Sequence, residues 1–195
     1  VTERTSDEKW AFLRTLKEDH YLLITILSAS SFLFIGALIQ LVMIPFGREV
    51  LGLEKEVSSY LFIFAALGIG SGSLLAAKLS GRNIEFGIVP LGALGMSVTS
   101  FMIAMMPPGN VVLFCVYLFV MCLCGGIFLI PLESFIQYKS PRAELGKILG
   151  FSSFASFLGV LLAAATLYVC LEKFSWSARS CYLIIAGATG GLTIL

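Results

Sequence analysis

Few residues in this chain have both the chemistry and the setting to act on another molecule. Glu133 is the only acidic residue embedded in a long apolar run. A charge at mid-membrane costs about 2.5–3.5 kcal/mol on insertion scales, so such residues pair, gate or bind. It lies 22 residues beyond Val111, roughly 33 Å along a helix rising about 1.5 Å per residue, at the edge of a hydrocarbon core about 30 Å thick. Two readings follow: an interfacial carboxylate paired with Lys139 or Arg142, or a gate or headgroup contact. Gln40 and Gln137 carry amides that must face a partner or a cavity. Gln40 fits either a helix-to-helix bond or substrate contact, and Gln137 an interfacial position or the same path. Ser152, Ser153 and Ser156 share an apolar run with Phe151, Phe154 and Phe157. That mixture suits bundle packing, or a path for a ligand with a polar head and an acyl tail. His20 is the only histidine and stands at the edge of the first apolar run. No Ser/His/Asp, Cys/His or paired-carboxylate arrangement is visible, so the sequence predicts no catalytic residue, no enzyme and no cofactor. Cys115, Cys122, Cys124, Cys170 and Cys181 sit in or beside apolar runs without ligand spacing. They read as small buried apolar residues, with no metal site.

The elements that position these residues are membrane helices. Of 195 residues 58% are apolar and 13% charged, and the mean hydropathy is +0.96. Soluble domains are about 45–50% apolar and about 25% charged, and a chain of this size cannot hide so much apolar surface in one core. Apolar runs at 21–46, 57–77, 86–106, 111–136 and 149–170 each match the roughly 20 residues of a spanning helix. A sixth, 181–195, has 15 residues and reads as a truncated span. With Val1 in place of Met and an end at Leu195 inside an apolar run, the expectation is a fragment of a longer protein. Residues 1–20 are charged rather than apolar, so they read as a cytoplasmic linker or tail and not a signal peptide. Residues 21–195 read as a six-span unit whose short connections make neighbouring spans antiparallel.

Orientation follows from Lys and Arg. The tail (Arg4, Lys9, Arg14, Lys17), the second loop (Lys78, Arg82) and the fourth (Lys139, Arg142, Lys147) hold nine, against four on the other face (Arg48, Lys55, Lys173, Arg179). The richer face is cytoplasmic. A net charge of +1 without a basic stripe gives no pull toward nucleic acid. Trp10 fits an anchor for an amphipathic cytoplasmic stretch, and Arg48 a solvated outer loop. Ser140-Pro141 predicts the start of the fifth helix, with Ser as N-cap and Pro at its first position. Pro107-Pro108-Gly109-Asn110 predicts a tight turn. Pro45 and Pro131 are placed to end or kink their spans. Gly68, Gly70 and Gly72, and Gly146 with Gly150, predict close helix packing. No strand or polar turn accompanies them, as a nucleotide loop would require.

Three stretches carry a resemblance. The first is Phe34-Ile35-Gly36-Ala37-Leu38-Ile39-Gln40 with Ile44-Pro45 and Gly47. The second is Gly68-Ile69-Gly70-Ser71-Gly72-Ser73-Leu74-Leu75, running on to Leu79-Ser80-Gly81-Arg82 and Val89-Pro90-Leu91-Gly92. The third is Ile130-Pro131-Leu132-Glu133 with Gln137, Ser140-Pro141 and Gly146. From about Phe12 to Leu195 the chain resembles the C-terminal half of major facilitator superfamily transporters. Within them it is similar to the bacterial lysophospholipid transporter branch, including forms fused to an acyltransferase and an acyl-carrier-protein synthetase. The resemblance implies a 3+3 inverted repeat with substrate held between two six-helix halves. It implies alternating access in the bacterial inner membrane, a missing N-terminal six-helix half, membrane lipid and the fused enzymes as partners. Ile44-Pro45 and Ile130-Pro131 are a faint echo of the repeat. The superfamily's cytoplasmic loop motif is represented by Lys78, Gly81 and Arg82, without the Asp that usually precedes the Gly-Arg pair. That departure leaves the loop's gating role open. Two rival readings stand beside this one: a facilitator for a drug or another small amphiphile, and a non-transporting membrane module of a fused enzyme.

Overall fold

Backbone N–H and C=O groups inside lipid must satisfy one another, so long apolar runs fold as helices. The computed structural model describes residues 19–80, 87–142, 144–173 and 176–193. The tail with Trp10, and Gly81 and Arg82 of the loop motif, lie outside the described residues. The helices are α1 (His20–Glu49), α2 (Lys55–Ser59), α3 (Leu61–Ser80), α4 (Ile88–Met105), α5 (Val111–Lys139), α6 (Leu145–Tyr168) and α7 (Ala178–Leu192). A π-helical turn, Val169–Lys173, extends α6. Among the described residues five spans are long and apolar enough to cross a membrane: α1, α2 with α3, α4, α5, and α6 with its extension. The sixth helix, α7, has 15 residues, short of the roughly 20 that a hydrocarbon core requires. The fold is an all-α polytopic membrane bundle of six main helices, with no strand among the described residues.

Local chemistry sets the helix ends. Asp19 caps α1 by accepting from the Leu22 N–H at 3.3 Å, and Asn110 caps α5 by accepting from the Leu113 N–H at 3.0 Å; each satisfies a donor the first turn would otherwise orphan. Before α5 the chain turns at Gly109, whose φ of 78° suits glycine. Ser140-Pro141 does not begin the fifth span. The Ser140 hydroxyl donates to the Ile136 carbonyl at 2.5 Å and its backbone is extended, so it closes α5 instead; α6 starts at Leu145. A Pro just past a helix end stops it as readily as one at the first position starts it. Pro45 and Pro131 do not end their spans either: α1 runs on to Glu49 and α5 to Lys139. Each proline deprives one carbonyl, Leu41 or Ile127, of its usual donor.

The packing pattern reveals the repeat. Helix α3 lies along α5, and α6 lies along α1; α4 packs on α5 as α7 packs on α1, and α4 meets α7 and α1 meets α5 directly. Exchanging α1, α3, α4 for α5, α6, α7 leaves this pattern unchanged. Because the chain weaves, α1 and α5 run in opposite directions, which makes the repeat inverted. Glycines bring the helices close. A Cβ on Gly68 would stand 2.5 Å from the Phe119 carbonyl oxygen, and one on Gly72 would overlap the backbone of Leu123. On the other side of the repeat, a Cβ on Gly159 would come within 3.0 Å of the Ser30 carbonyl oxygen. Gly70, Gly146 and Gly150 take no part in this packing, since a Cβ on any of them would meet nothing within 4 Å. Their helical spacing is right, but they face away from the neighbouring helix.

Cross-links tie the two ends. Lys139 pairs with Asp19 at 3.3 Å, joining the end of α5 to the start of α1. At the opposite end the Glu49 carboxylate accepts from the Ala178 N–H at 3.1 Å, and the Gly109 N–H donates to the Val50 carbonyl at 2.9 Å. The rings of Phe46 and Phe114 stack at 4.9 Å, with Tyr182 edge-on to Phe46 at 5.0 Å, filling the core there.

Candidate substrate cavity

Where two helices of the bundle barely touch, a third lies beneath them and a cavity opens. Helices α5 and α6 form such a pair. Between them, over Leu33 of α1, is a cavity of about 270 Å³ lined by Glu133, Ser152, Ser153 and Ser156 with Leu149 and Phe157. Helices α1 and α3 form the repeat-related pair. Over α5 they flank an open cavity of about 290 Å³ whose lining includes Met43, Phe62, Ile69, Met96 and Met121. Gln40 lines that second cavity. Leu33 and Val160 line both, so the polar cavity adjoins the apolar one.

The structure thus gathers four of the six candidate path residues in one place and puts Gln40 next door. Gln137 is exposed and lines neither cavity. Lys78 is exposed near the end of α3. The expected pairing of Glu133 with Lys139 or Arg142 is not seen: Lys139 binds Asp19, and no cation pairs with Glu133 among the described residues. The carboxylate is half-buried, six residues before the end of α5.

Some hydroxyls in the bundle are spent on their own helix and others, like these serines, are not. Thr25, Ser30, Ser71, Ser100 and Thr166 each donate to the carbonyl four residues back in their own helix. Ser152 and Ser156, 5% and 7% exposed, make no such bond to the described residues, and neither does Ser153. Their hydroxyls are therefore free to meet water or a ligand in the cavity.

Sequence reasoning missed the apolar cavity. Met43, Met96 and Met121 come from three helices, and no spacing within one run brings them together. Methionines recurring in three of the spans are the one signal available, because their flexible thioethers suit adaptable apolar surfaces. Among the described residues, no three His, Cys, Asp or Glu side chains converge as a metal site.

The family model for the Major Facilitator Superfamily matches residues 2–195. The chain belongs to that superfamily. Comparison with curated proteins and with solved structures gave no match. Membership makes the bundle an integral membrane transporter unit, and its two interchanging triplets are those of half a facilitator fold. In a facilitator, substrate is held between the two six-helix halves near the middle of the membrane. Both cavities lie at contacts between the triplets.

Proposed function

We propose that this chain is a six-helix half of a facilitator that moves lysophospholipid across the bacterial inner membrane by alternating access, with its N-terminal tail in the cytoplasm. One observation carries the substrate: a polar cavity with a carboxylate and three hydroxyls adjoins an apolar cavity of similar volume. A lysophospholipid has one polar head and one chain, and this pairing offers a place for each. A drug exporter fits less well, because a uniformly apolar site would serve it and this one carries a carboxylate and three hydroxyls. A membrane module serving only as an anchor for a fused enzyme would have no use for either cavity.

In this reading a second six-helix half, N-terminal in the complete protein, covers the exposed apolar faces of α3 and α6. Those faces include Leu67, Leu74, Phe154 and Leu161, all more than half exposed. An acyltransferase and an acyl-carrier-protein synthetase are the enzymes that would use the delivered lipid in a fused form. The complete protein in proteoliposomes is expected to take up a fluorescent lysophospholipid, and Glu133→Gln to lower the rate with folded protein unchanged. Uptake of a hydrophobic dye, with no uptake of lysophospholipid, would favour the drug reading instead. Cysteines at Ser80 and Asn110 should label from opposite faces of intact cells, Ser80 from the cytoplasm.

A further inference from the structure

We infer that Ser100 is a positioning residue for the apolar cavity: its hydroxyl holds the thioether of Met121 in one place and so sets which acyl chains the cavity admits. Among the described residues, Ser100 has the one hydroxyl that donates to a side chain on another helix. That hydroxyl stands 2.7 Å from the Met96 carbonyl oxygen, one turn back in α4, and 3.2 Å from the sulfur of Met121 in α5. A serine has a single proton to donate and a thioether sulfur accepts weakly, so the proton is shared between the two. Both Met96 and Met121 line the apolar cavity. Ser100 is fully buried and is not part of that lining, so it acts on the cavity through Met121.

Methionine is the apolar side chain that such a tether changes most. Its rotatable bonds let it fill irregular gaps, and ordering it loses more rotamer freedom than ordering a leucine or isoleucine. Among the described residues no hydrogen bond reaches the sulfur of Met43 or Met96. Those two stay adaptable, whereas Met121 is fastened. The helices that carry the tether are themselves held close. A Cβ on Gly92 of α4 would stand 2.8 Å from the Cys124 carbonyl oxygen of α5, and one on Gly95 would overlap the Cys124 side chain. The cavity wall therefore has one fixed methionine and two yielding ones. A fixed group discriminates by shape. An unbranched acyl chain can lie against Met121, but a methyl branch at the same depth requires Met121 to move. Chain selection rests on the lysophospholipid reading; the hold on Met121 does not.

The test begins with Met121 itself. The complete protein, purified in detergent without lipid substrate, carries isotope-labelled methionine methyls for NMR, and the Met121 signal is assigned by its loss in Met121→Leu. In Ser100→Ala that signal should move toward the rotamer-averaged position while the Met43 signal stays. In Ser100→Cys, which keeps a weak donor, it should move less. A Met121 signal unmoved in Ser100→Ala overturns the positioning. Uptake into proteoliposomes is then compared for lysophosphatidylglycerol with a straight chain and with a methyl-branched chain of equal length. Ser100→Ala should raise KM for the straight chain about two- to tenfold, the range that one hydrogen bond spans, and leave kcat and the branched-chain KM unchanged. On the Met121→Leu background the same substitution should change neither chain's KM, because an interaction with the sulfur is not lost twice. Equal KM rises for the two chains, or a further loss on the Met121→Leu background, would mark a merely structural serine and overturn the proposal. Thermal melts identify folded variants, and Ser100→Cys carries the comparison if Ser100→Ala does not fold. No uptake of either lipid overturns the substrate reading and chain selection with it, while the methyl spectrum still decides whether Ser100 holds Met121.

Discussion

The two cavities occupy equivalent places in the two triplets, yet their walls have almost nothing in common. One lies between α1 and α3 over α5 and is lined by methionines and aromatic or aliphatic side chains with a single amide, Gln40. The other lies between α5 and α6 over α1 and holds Glu133 and three serines. The backbone arrangement follows from the repeat, because a helix laid along its partner in the other triplet leaves a gap beside its sequence neighbour. The linings are free to diverge, since they need only fill or border that gap. An inverted repeat therefore supplies two adjoining compartments, and side-chain chemistry can make one a head site and the other a chain site.

The comparison breaks most drastically if the helices framing the cavities are pushed apart. Gly72→Ala should cause the largest loss, because its Cβ overlaps the backbone of Leu123 and no flexible side chain can yield. A destabilisation of about 3 kcal/mol, the upper range for overpacking, is expected as lower membrane abundance and a lower melting temperature in detergent. Gly159→Ala tests the related contact in the other triplet. Its Cβ would come no closer than 3.0 Å to the Ser30 carbonyl, so a loss of about 1 kcal/mol is expected. Equal losses would mean that the two contacts are not tuned differently.

A second pair of changes separates the compartments by function. Met96→Ser with Met121→Ser makes the apolar cavity wetter without touching the polar one. Burial of each methylene is worth about 0.8 kcal/mol. Uptake of a long-chain lysophospholipid should therefore fall several-fold, and that of a short-chain analogue much less. Ser152→Ala with Ser156→Ala should lower uptake of both chain lengths alike while leaving stability within about 0.5 kcal/mol, since the hydroxyls have no protein partner to lose. Matching chain-length profiles for the two double variants would dissolve the division into head and chain sites.

Much of this arrangement was legible before any coordinates. Composition and apolar runs gave the membrane bundle, and a carboxylate inside a run is rare enough to single out Glu133. Three serines sharing one span with phenylalanines marked the facing wall. Legibility ended where a choice depended on contacts between helices. The spacing of Gly146 and Gly150 is the same as that of Gly68 and Gly72, but only the latter pair faces a neighbour. Ser140-Pro141 suits either end of a helix, and only the bond from Ser140 to the Ile136 carbonyl decides. Lys139 was near enough in sequence to neutralise Glu133, yet Asp19, 120 residues earlier in the chain, takes that lysine. Depth counted along one helix put Glu133 at the water boundary, and it could not reveal that α6 builds a cavity around it.

The ends of the bundle extend the comparison to smaller effects. At the Glu49 end a carboxylate caps α7 by accepting the Ala178 N–H, and Ala178 is fully buried. Removal of a cap of this kind costs typically about 1 kcal/mol, and the negative charge also favours the helix N-terminus. Glu49→Ala should therefore lower the melting temperature measurably, and Glu49→Gln should recover part of the loss because an amide oxygen still accepts.

At the Asp19 end the link is an ion pair between side chains 45% and 24% exposed for Lys139 and Asp19. Water and salt screen such a pair, and holding a long lysine chain in one geometry has an entropy cost, so surface pairs contribute about 0–1 kcal/mol. Lys139→Met should shift stability by less than Glu49→Ala, and its shift should shrink further at high salt, where the Debye length falls to about 3 Å at 1 M. Asp19 complicates its own substitution because it also caps α1 through the Leu22 N–H. Asp19→Ala should thus cost more than Lys139→Met, whereas Asp19→Asn keeps an accepting oxygen and should resemble Lys139→Met. Thermal melts of the three variants at low and high salt separate cap from ion pair. A Lys139→Met loss as large as that of Glu49→Ala and insensitive to salt would show that the pair is shielded from water and fastens α5 to α1 as firmly as the cap fastens α7.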